Sequence, residues 1–282
     1  MASSFRDMLD LHSLWSVEMV RWFLACVGLL FAANSKAATL NVCSTCTYTT
    51  IGAAYSAAVG GDTIEVAAGN YSETVSITKA IILKGAGSGV SKISGSPTPI
   101  SISGSNPKAS ISGFTLDTSG GGTALYIAAG SVVLDDIVVY GEYRSGSGTA
   151  MYISGSSTTV TATNLNFDNN ESGSRGGHIA CYGGDSLSIS NSILSRGLAK
   201  ERAGAIWLAS CDANFDNVNF SDNYVESPGS SSHTYGGAIY AYDSTVSLKN
   251  SSFIGNESEE DGGALGVYSG AFTVENTVFS GN

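Results

Sequence analysis

Apolar and polar residues alternate in Val246-Ser-Leu248-Lys-Asn250 and again in Phe272-Thr-Val274-Glu-Asn276. Period-two alternation predicts strands with one buried face. Each strand lies inside a longer unit. Gly236-Gly237-Ala238-Ile239 opens one unit, which closes on Phe253-Ile254-Gly255-Asn256; Gly262-Gly263-Ala264-Leu265 opens the next, which closes on Phe279-Ser280-Gly281-Asn282. Ala238 to Ala264 and Asn250 to Asn276 are both steps of 26 residues. A strand period nested in a constant longer period is the mark of a stacking unit that cannot bury its apolar face alone. The predicted fold is all-β: a right-handed, single-stranded parallel β-helix, each unit forming one coil.

The opening motif recurs upstream around Ala124, Ala150, His178, Ala205, Ala238 and Ala264, in steps of 26, 28, 27, 33 and 26 residues. The long step places an insertion at Ser227-Pro-Gly-Ser-Ser-Ser-His233. A second column holds Asp136, Asn164, Asn191, Asn217, Asn250 and Asn276, followed three residues later by Val139, Phe167, Leu194, Phe220, Phe253 and Phe279. The Asn column is expected at a bend, since Asn tolerates left-handed backbone and its amide can bond to the Asn one coil away. After the Gly pair, two columns are uniformly apolar: Leu125, Met151, Ile179, Ile206, Ile239, Leu265, and Ile127, Ile153, Cys181, Leu208, Ala241, Val267. These face inward, so the column between them, Tyr126, Tyr152, Ala180, Trp207, Tyr240 and Gly266, faces outward. Two places on, the outward column holds Tyr182, Tyr242 and Tyr268.

Before the regular coils, Thr49 or Thr50 can N-cap a short helix that carries Ile51, Ala54, Tyr55 and Ala58 on one face and ends at Gly60-Gly61. Such a helix lids the open first coil and its strand edges. Asp62–Val66, Val75–Ile77 and Ile81–Leu83 read as strands, with a turn at Ala68–Tyr71. Gly69-Asn-Tyr71-Ser-Glu73, with the run Ile81-Ile-Leu-Lys-Gly-Ala-Gly87, resembles the opening coil of the pectin lyase-like superfamily, including the Gly-x-Tyr-x-Glu element of pectin methylesterases. That resemblance, over about residues 48–95, implies a right-handed parallel β-helix. It does not carry over the esterase chemistry, because the downstream catalytic segments with paired Asp and Arg find no match. The Gly-Gly-Ala-Ile and Phe-x-x-Asn double motif over residues 120–282 resembles the repeats of the polymorphic outer membrane proteins of chlamydiae. It implies a cell-surface β-helix, often adhesive and exported as an autotransporter passenger, although no C-terminal barrel follows in this chain.

Composition narrows the function. Net charge is −11 with only 13 Lys and Arg in 282 residues, which argues against nucleic acid and leaves no polybasic membrane patch. Arg21 precedes the apolar run Trp22–Ala33, and Ser35-Lys36-Ala37 offers small residues for cleavage before Ala38. This is the pattern of a secretory signal peptide, with Met19 as an alternative start. Residues 1–37 therefore form an upstream segment and signal, and residues 38–282 the β-helix. No segment is long enough for a transmembrane helix. The localisation expected is secreted or cell-surface, at the outer membrane if the source is bacterial. The last repeat ends on Asn282 with an uncapped coil, which predicts that the natural chain continues.

With Cys26 in the signal, Cys43, Cys46, Cys181 and Cys211 remain, an even set that suggests two disulfides in an exported chain. Cys43-Ser-Thr-Cys46 also reads as half a zinc site, but no second ligand pair follows, and neither metal nor cofactor is assigned. Asp135-Asp136 is not a catalytic pair, because adjacent strand residues point to opposite faces and Asp136 belongs to the Asn column. Arg196, Lys200, Glu201 and Arg202 read as a solvated loop, as do Glu257, Glu259, Glu260 and Asp261, with calcium between coils as the alternative. The sequons at Asn70, Asn170, Asn219, Asn250 and Asn256 matter only in a glycosylating host.

No catalytic residue is assigned. The ligand-binding residues expected are Tyr126, Tyr152, Trp207 and Tyr240, with His178 beside them in an outward column. An aromatic file on a sheet either packs the sheet or forms a platform for sugar rings or a protein partner. The function expected is a non-catalytic adhesin or binding module for an extracellular glycan or surface protein. The alternative is a polysaccharide lyase or hydrolase.

Overall fold

The computed structural model describes residues 36–118, 120–155, 157–226 and 235–282. The expected signal run through Ser35 and the Ser227–His233 insertion lie outside the described residues. Among those residues no helix is long and apolar enough to cross a membrane.

The alternating segments pair in parallel, in register, one coil on the next. Val132 aligns with Val160, Val160 with Leu187, Leu187 with Ala213, Ala213 with Val246, and Val246 with Phe272. Each regular coil has four sides. Side one includes Leu125–Ile127, Met151–Ser154, Ile239–Tyr242 and Leu265–Tyr268. Side two includes Thr245–Lys249 and Ala271–Glu275, and side three Ser252–Ile254 and Val278–Ser280. Side four is a two-residue ladder of Tyr143–Arg144, Glu171–Ser172, Leu198–Ala199, Tyr224–Val225 and Glu257–Ser258. In two coils the first three sides run without a break, as Ile179–Ser195 and Ile206–Ser221. Both inward columns of side one are buried up to the last coil, together with Phe167, Phe215, Phe220 and Phe253. Phe220, Phe253 and Phe279 stack with centroids 4.6 and 4.9 Å apart.

The bends explain the repeat. Asp136, Asn164, Asn191, Asn217, Asn250 and Asn276 all have φ between 47° and 58°. Their short polar side chains lower the penalty that Cβ imposes in this left-handed region. The amide of Asn217 donates to Asn191 at 2.8 Å, whereas Asn164 and Asn250 donate to Asp135 and Asp216. The file therefore forms, but its hydrogen bonds run partly to the neighbouring strand. Asp136 accepts from the Ser88 backbone and hydroxyl, a purely structural role.

The second Asn of the motif does more. Asn223, Asn256 and Asn282 form a ladder inside the bend between sides three and four. Asn256 Oδ1 accepts from both the backbone N and the Nδ2 of Asn223, and Asn256 Nδ2 donates to Phe220 O and to Asn282 Oδ1. Asn170 does the same work for Glu142 N and Val139 O. Each amide satisfies backbone groups that water cannot reach.

The paired glycines have separate reasons. Gly176, Gly236 and Gly262 hold φ of 64–68°, which glycine adopts without strain. A Cβ at Gly177 or Gly237 would meet the backbone oxygen of the next coil at 2.2 or 1.9 Å.

The N-terminal lid is the helix α1, Ile51–Ala57, N-capped by Thr50 Oγ1 accepting from Ala53 N. It buries Ile51 and Ala54 on the first coil. Glu73 accepts from Ile51 N at 2.8 Å and Gly52 N at 2.7 Å, while Lys79 Nζ donates to Tyr55 O and Ala58 O at the other end. Tyr71 hydroxyl donates to Ala67 O. Glu73 of the Gly-x-Tyr-x-Glu element thus clamps the start of the lid. The turn expected at Ala68–Tyr71 is instead a strand, Gly69–Ser72, drawn into the ladder by parallel pairing with Ser91–Ser94.

Both disulfides form, Cys43–Cys46 and Cys181–Cys211. The second joins adjacent coils within the core and closes a separation of 30 residues. Chain-entropy arguments give such a loop about 4 kcal/mol, against about 2 kcal/mol for a loop of four residues.

Candidate functional site

Side one carries a continuous run of rings. Tyr126 stacks on Tyr152 at 5.8 Å, Tyr152 meets Tyr182 at 5.4 Å, and Tyr182 meets Trp207 at 6.4 Å. Trp207 then stacks on Tyr240 at 5.2 Å and lies 6.5 Å from Tyr242, which stacks on Tyr268 at 5.2 Å. Where the file has Ala180 instead of a ring, Tyr182 from the next outward column bridges the gap. The register places these residues together, since Tyr126, Tyr152, Ala180, Trp207 and Tyr240 are successive partners across the coils.

The strand phase is as expected, but the expected solvent exposure of the file is not. Trp207 is 3% and Tyr240 4% exposed, while Tyr126 and Tyr152 are half-buried. The physical reason is a second layer. In three successive coils the residue just before the small pair lies across the file as the chain turns from side four into side one. Arg175 lies over the Trp207 ring at 4.9 Å, Arg202 over Trp207 and Tyr240 at 5.6 Å each, and Tyr235 stacks on Tyr240 at 5.5 Å. Arg144 lies over Tyr152 at 5.0 Å. Ala180, Ala203, Trp207 and Tyr240 form a small apolar core of their own, separate from the interior.

This layer corrects the reading of Arg202 as part of a solvated loop: its guanidinium gains the ring quadrupole. Arg196 and Lys200 are also engaged, with Asp168, and with Glu171 and Glu226. Burial lowers the Arg144 pKa and raises those of Tyr152 and Tyr240. The sequence signal for the cover was an Arg or Tyr immediately before the small pair, as in Arg175-Gly-Gly, Arg202-Ala-Gly and Tyr235-Gly-Gly.

Tyr242 is 41% exposed, and Tyr126, Tyr152 and Tyr182 are half-buried. Tyr242 stacks between Trp207 and Tyr268, so the ring edges and hydroxyls rather than the faces are open to solvent.

His178 is not beside the file. It is fully buried, its ring 6.3 Å from Phe167, with Nδ1 accepting from Asn170 Nδ2 at 3.0 Å. Alternation counted back from Ile179 stops at the bend, so the third residue of the motif points inward, as Ala150, Ala205 and Ala238 do. Burial lowers the His178 pKa to about 4, so the ring is neutral at physiological pH. Among the described residues no three His, Cys, Asp or Glu side chains are grouped so as to hold a metal ion.

A second cluster draws its members from different columns, so the repeat carries no signal for it. Lys92 pairs with Asp117 at 2.6 Å, and Glu142 lies beside them in a cleft of about 590 Å³ with Gly120, Gly121 and Tyr143. Burial, and to a lesser degree Asp117, raises the Glu142 pKa, while Thr118 hydrogen bonds to its carboxylate oppose the rise.

Among solved structures, the chain is similar to the pectin methylesterase PemA from Erwinia chrysanthemi, with 15% identity, a TM-score of 0.54, and coverage of 88% of this chain and 90% of that one. It is also similar to a pectin methylesterase variant in complex with a hexasaccharide, with 14% identity, a TM-score of 0.53 and the same coverage. At such identity the likeness is one of fold. No curated protein matches by sequence. A family model described as the right handed beta helix region matches residues 98–282, the span in which the Gly-pair, Asn and Phe columns recur. The parallel register, the stacked bends and this match agree, and the chain belongs to the right-handed β-helix family.

Proposed function

We propose that this chain is a secreted or cell-surface β-helix module that binds an extracellular glycan or protein surface without catalysing a reaction. The observation that carries the reading is the continuous aromatic run on side one, from Tyr126 through Tyr152, Tyr182 and Trp207 to Tyr242. Rings fixed in a stacked file on a rigid sheet offer edges and hydroxyls to sugars or to a partner surface at little entropic cost. Trp207 and Tyr240, with their guanidinium cover, act as the floor that fixes these rings, and Tyr126 and Tyr152 extend the platform as half-buried members. His178 has no part in contact. A glycan screen comparing the wild-type chain with Tyr242→Ala/Tyr268→Ala tests the proposal. The double variant should lose at least tenfold in affinity, about 1.4 kcal/mol. Unchanged binding at unchanged thermal stability would reduce the rings to sheet packing.

A second reading, polysaccharide hydrolysis, is favoured by the Lys92, Asp117 and Glu142 cleft. Asp117 there is paired with Lys92, and burial pushes Glu142 toward its neutral form, an asymmetry suited to acid–base work. Release of reducing ends from a polysaccharide panel, abolished in Glu142→Gln, would favour it. Gln keeps an acceptor for Thr118 N, so the fold should survive.

A further inference from the structure

The Cys43–Cys46 bridge does less for the fold than Cys181–Cys211. It spans only three residues, and the same turn is already held by Cys46 N donating to Cys43 O at 3.2 Å and Cys43 N donating to Tyr48 O at 3.1 Å. Val42 and Tyr48 form a parallel bridge just outside it. Closing so short a loop removes about half the freedom that the 30-residue loop does. Both cysteines are partly exposed, unlike the fully buried Cys181 and Cys211. A cleft of about 470 Å³ runs against the bridge, lined by Cys43, Cys46, Val66, Glu65 and Lys84. Thr45 Oγ1 lies 3.6 Å from Cys43 Sγ. A partly exposed bridge in a turn that backbone hydrogen bonds also hold, beside an open cleft edged by the Lys84–Glu65 pair, has the features of a reactive rather than a structural disulfide.

We propose that Cys43–Cys46 is a thiol–disulfide exchange site whose co-reactant is a protein dithiol presented on an extended segment. An incoming thiolate attacks Cys46 Sγ; the Sγ–Sγ bond breaks, and its electron pair leaves on Cys43 as a thiolate. Thr45 hydroxyl donates to that thiolate. A second thiol of the partner, as thiolate, attacks the mixed disulfide and releases Cys46, so the partner loses two electrons and two protons and the Cys43/Cys46 pair gains them. Run in reverse, with the Cys43/Cys46 dithiol and a partner disulfide as reactants, the same steps reduce the partner and reform the Cys43–Cys46 bridge. Asn41, Glu65 and Lys84 around the cleft supply polar contacts to a bound main chain.

The chain carries its own control. Folded full-length protein is treated with excess reduced glutathione, and separately with a two-cysteine peptide, at neutral pH. Alkylated peptides are quantified over time by mass spectrometry. Cys43 and Cys46 should label about a hundredfold faster than Cys181 and Cys211, with circular dichroism unchanged and the thermal midpoint lowered by less than about 10 °C. Equal rates for the two bridges, or opening of Cys43–Cys46 only where the fold melts, would overturn the proposal. Cys43→Ser should hold the peptide as a lasting mixed disulfide on Cys46, starting from the oxidised peptide. Thr45→Val should slow reduction several-fold with no change in thermal midpoint; an unchanged rate would overturn the assignment of Cys43 as the leaving thiolate.

Discussion

The ring of His178 occupies the space beside Gly197, so closely that a Cβ at position 197 would sit 2.7 Å from His178 Nε2. Gly197 stands where other coils carry the buried Asn, as in Asn170, Asn223 and Asn256, and His178 stands where they carry Ala. The two departures belong together. This coil has exchanged an amide from one bend for an imidazole from the next, and the ring accepts from Asn170 in the ladder below.

Gly197→Ala should therefore destabilise the fold by about 1–3 kcal/mol, the usual cost of overpacking a core. In a His178→Ala background the same change should cost about 1 kcal/mol less. The relief is partial, because the new Cβ would still lie 2.3 Å from Gly204 O. A double-mutant cycle by denaturant unfolding measures the coupling. Additive effects would show that the ring is not what excludes a side chain at position 197.

His178 also sets a pH dependence. Its folded pKa is lowered to about 4 by burial, against 6.5 for an unperturbed ring, so the unfolded chain takes up the proton first. Stability from this group is fully present above pH 6.5 and is lost as pH falls toward about 4, by roughly 3 kcal/mol in total. Glu142 acts in the opposite sense. Its raised pKa means that the folded state holds the proton longer, so its contribution is present below the unfolded value and is lost as pH rises through the folded one. Unfolding curves of His178→Ala across this range should show a smaller decline in acid than the wild type.

The coil phase, the inward columns and the αL bends were legible because they rest on two simple periods, two along a strand and about 26 along the chain. The burial of Trp207 and Tyr240 was not. Alternation says which side of a sheet a residue takes, but not whether another segment lies over that side. That cover comes from Arg175, Arg202 and Tyr235, which belong to bends rather than strands and carry no period-two signal. His178 was misplaced for a related reason, since alternation does not continue through a bend. Glu73 lay in a recognisable element, yet its role as the clamp on α1 depends on a helix 22 residues earlier meeting it in space.

The buried and exposed Asn files should differ sharply in energetic weight. Asn256→Ala removes an acceptor for Asn223 N and a donor to Phe220 O, leaving both without their bonds inside the bend. Such losses cost about 1–3 kcal/mol per unsatisfied group, so a total of about 3 kcal/mol is expected. Asn217→Ala gives up one exposed bond to Asn191 and the tolerance of Asn for φ of 58°. About 1 kcal/mol is expected there. Equal values from thermal or denaturant unfolding would contradict the ladder as a load carrier.

Trp207 reports on the cover over the aromatic run. The chain has three Trp residues, and Trp15 and Trp22 precede the expected cleavage site, so protein beginning at Ala38 has one. With the ring 3% exposed beneath two guanidinium groups, its emission should be blue-shifted and resistant to acrylamide. Arg202→Ala removes the group shared by Trp207 and Tyr240, and its stability cost should be about 0.5–2 kcal/mol, the range for a cation over a ring. The informative readout is quenching, which should rise several-fold as the ring face opens. Arg202→Lys keeps the charge but not the flat guanidinium, and should fall between the two. Arg175→Ala should open the other part of the face and also strand Glu201, its partner at 2.9 Å. If quenching in Arg202→Ala stays at the wild-type level while the fold is intact, the guanidinium layer is not what shields the indole. Tyr240 and Tyr182 would then be the cover, and the platform would owe its rigidity to ring-on-ring packing alone.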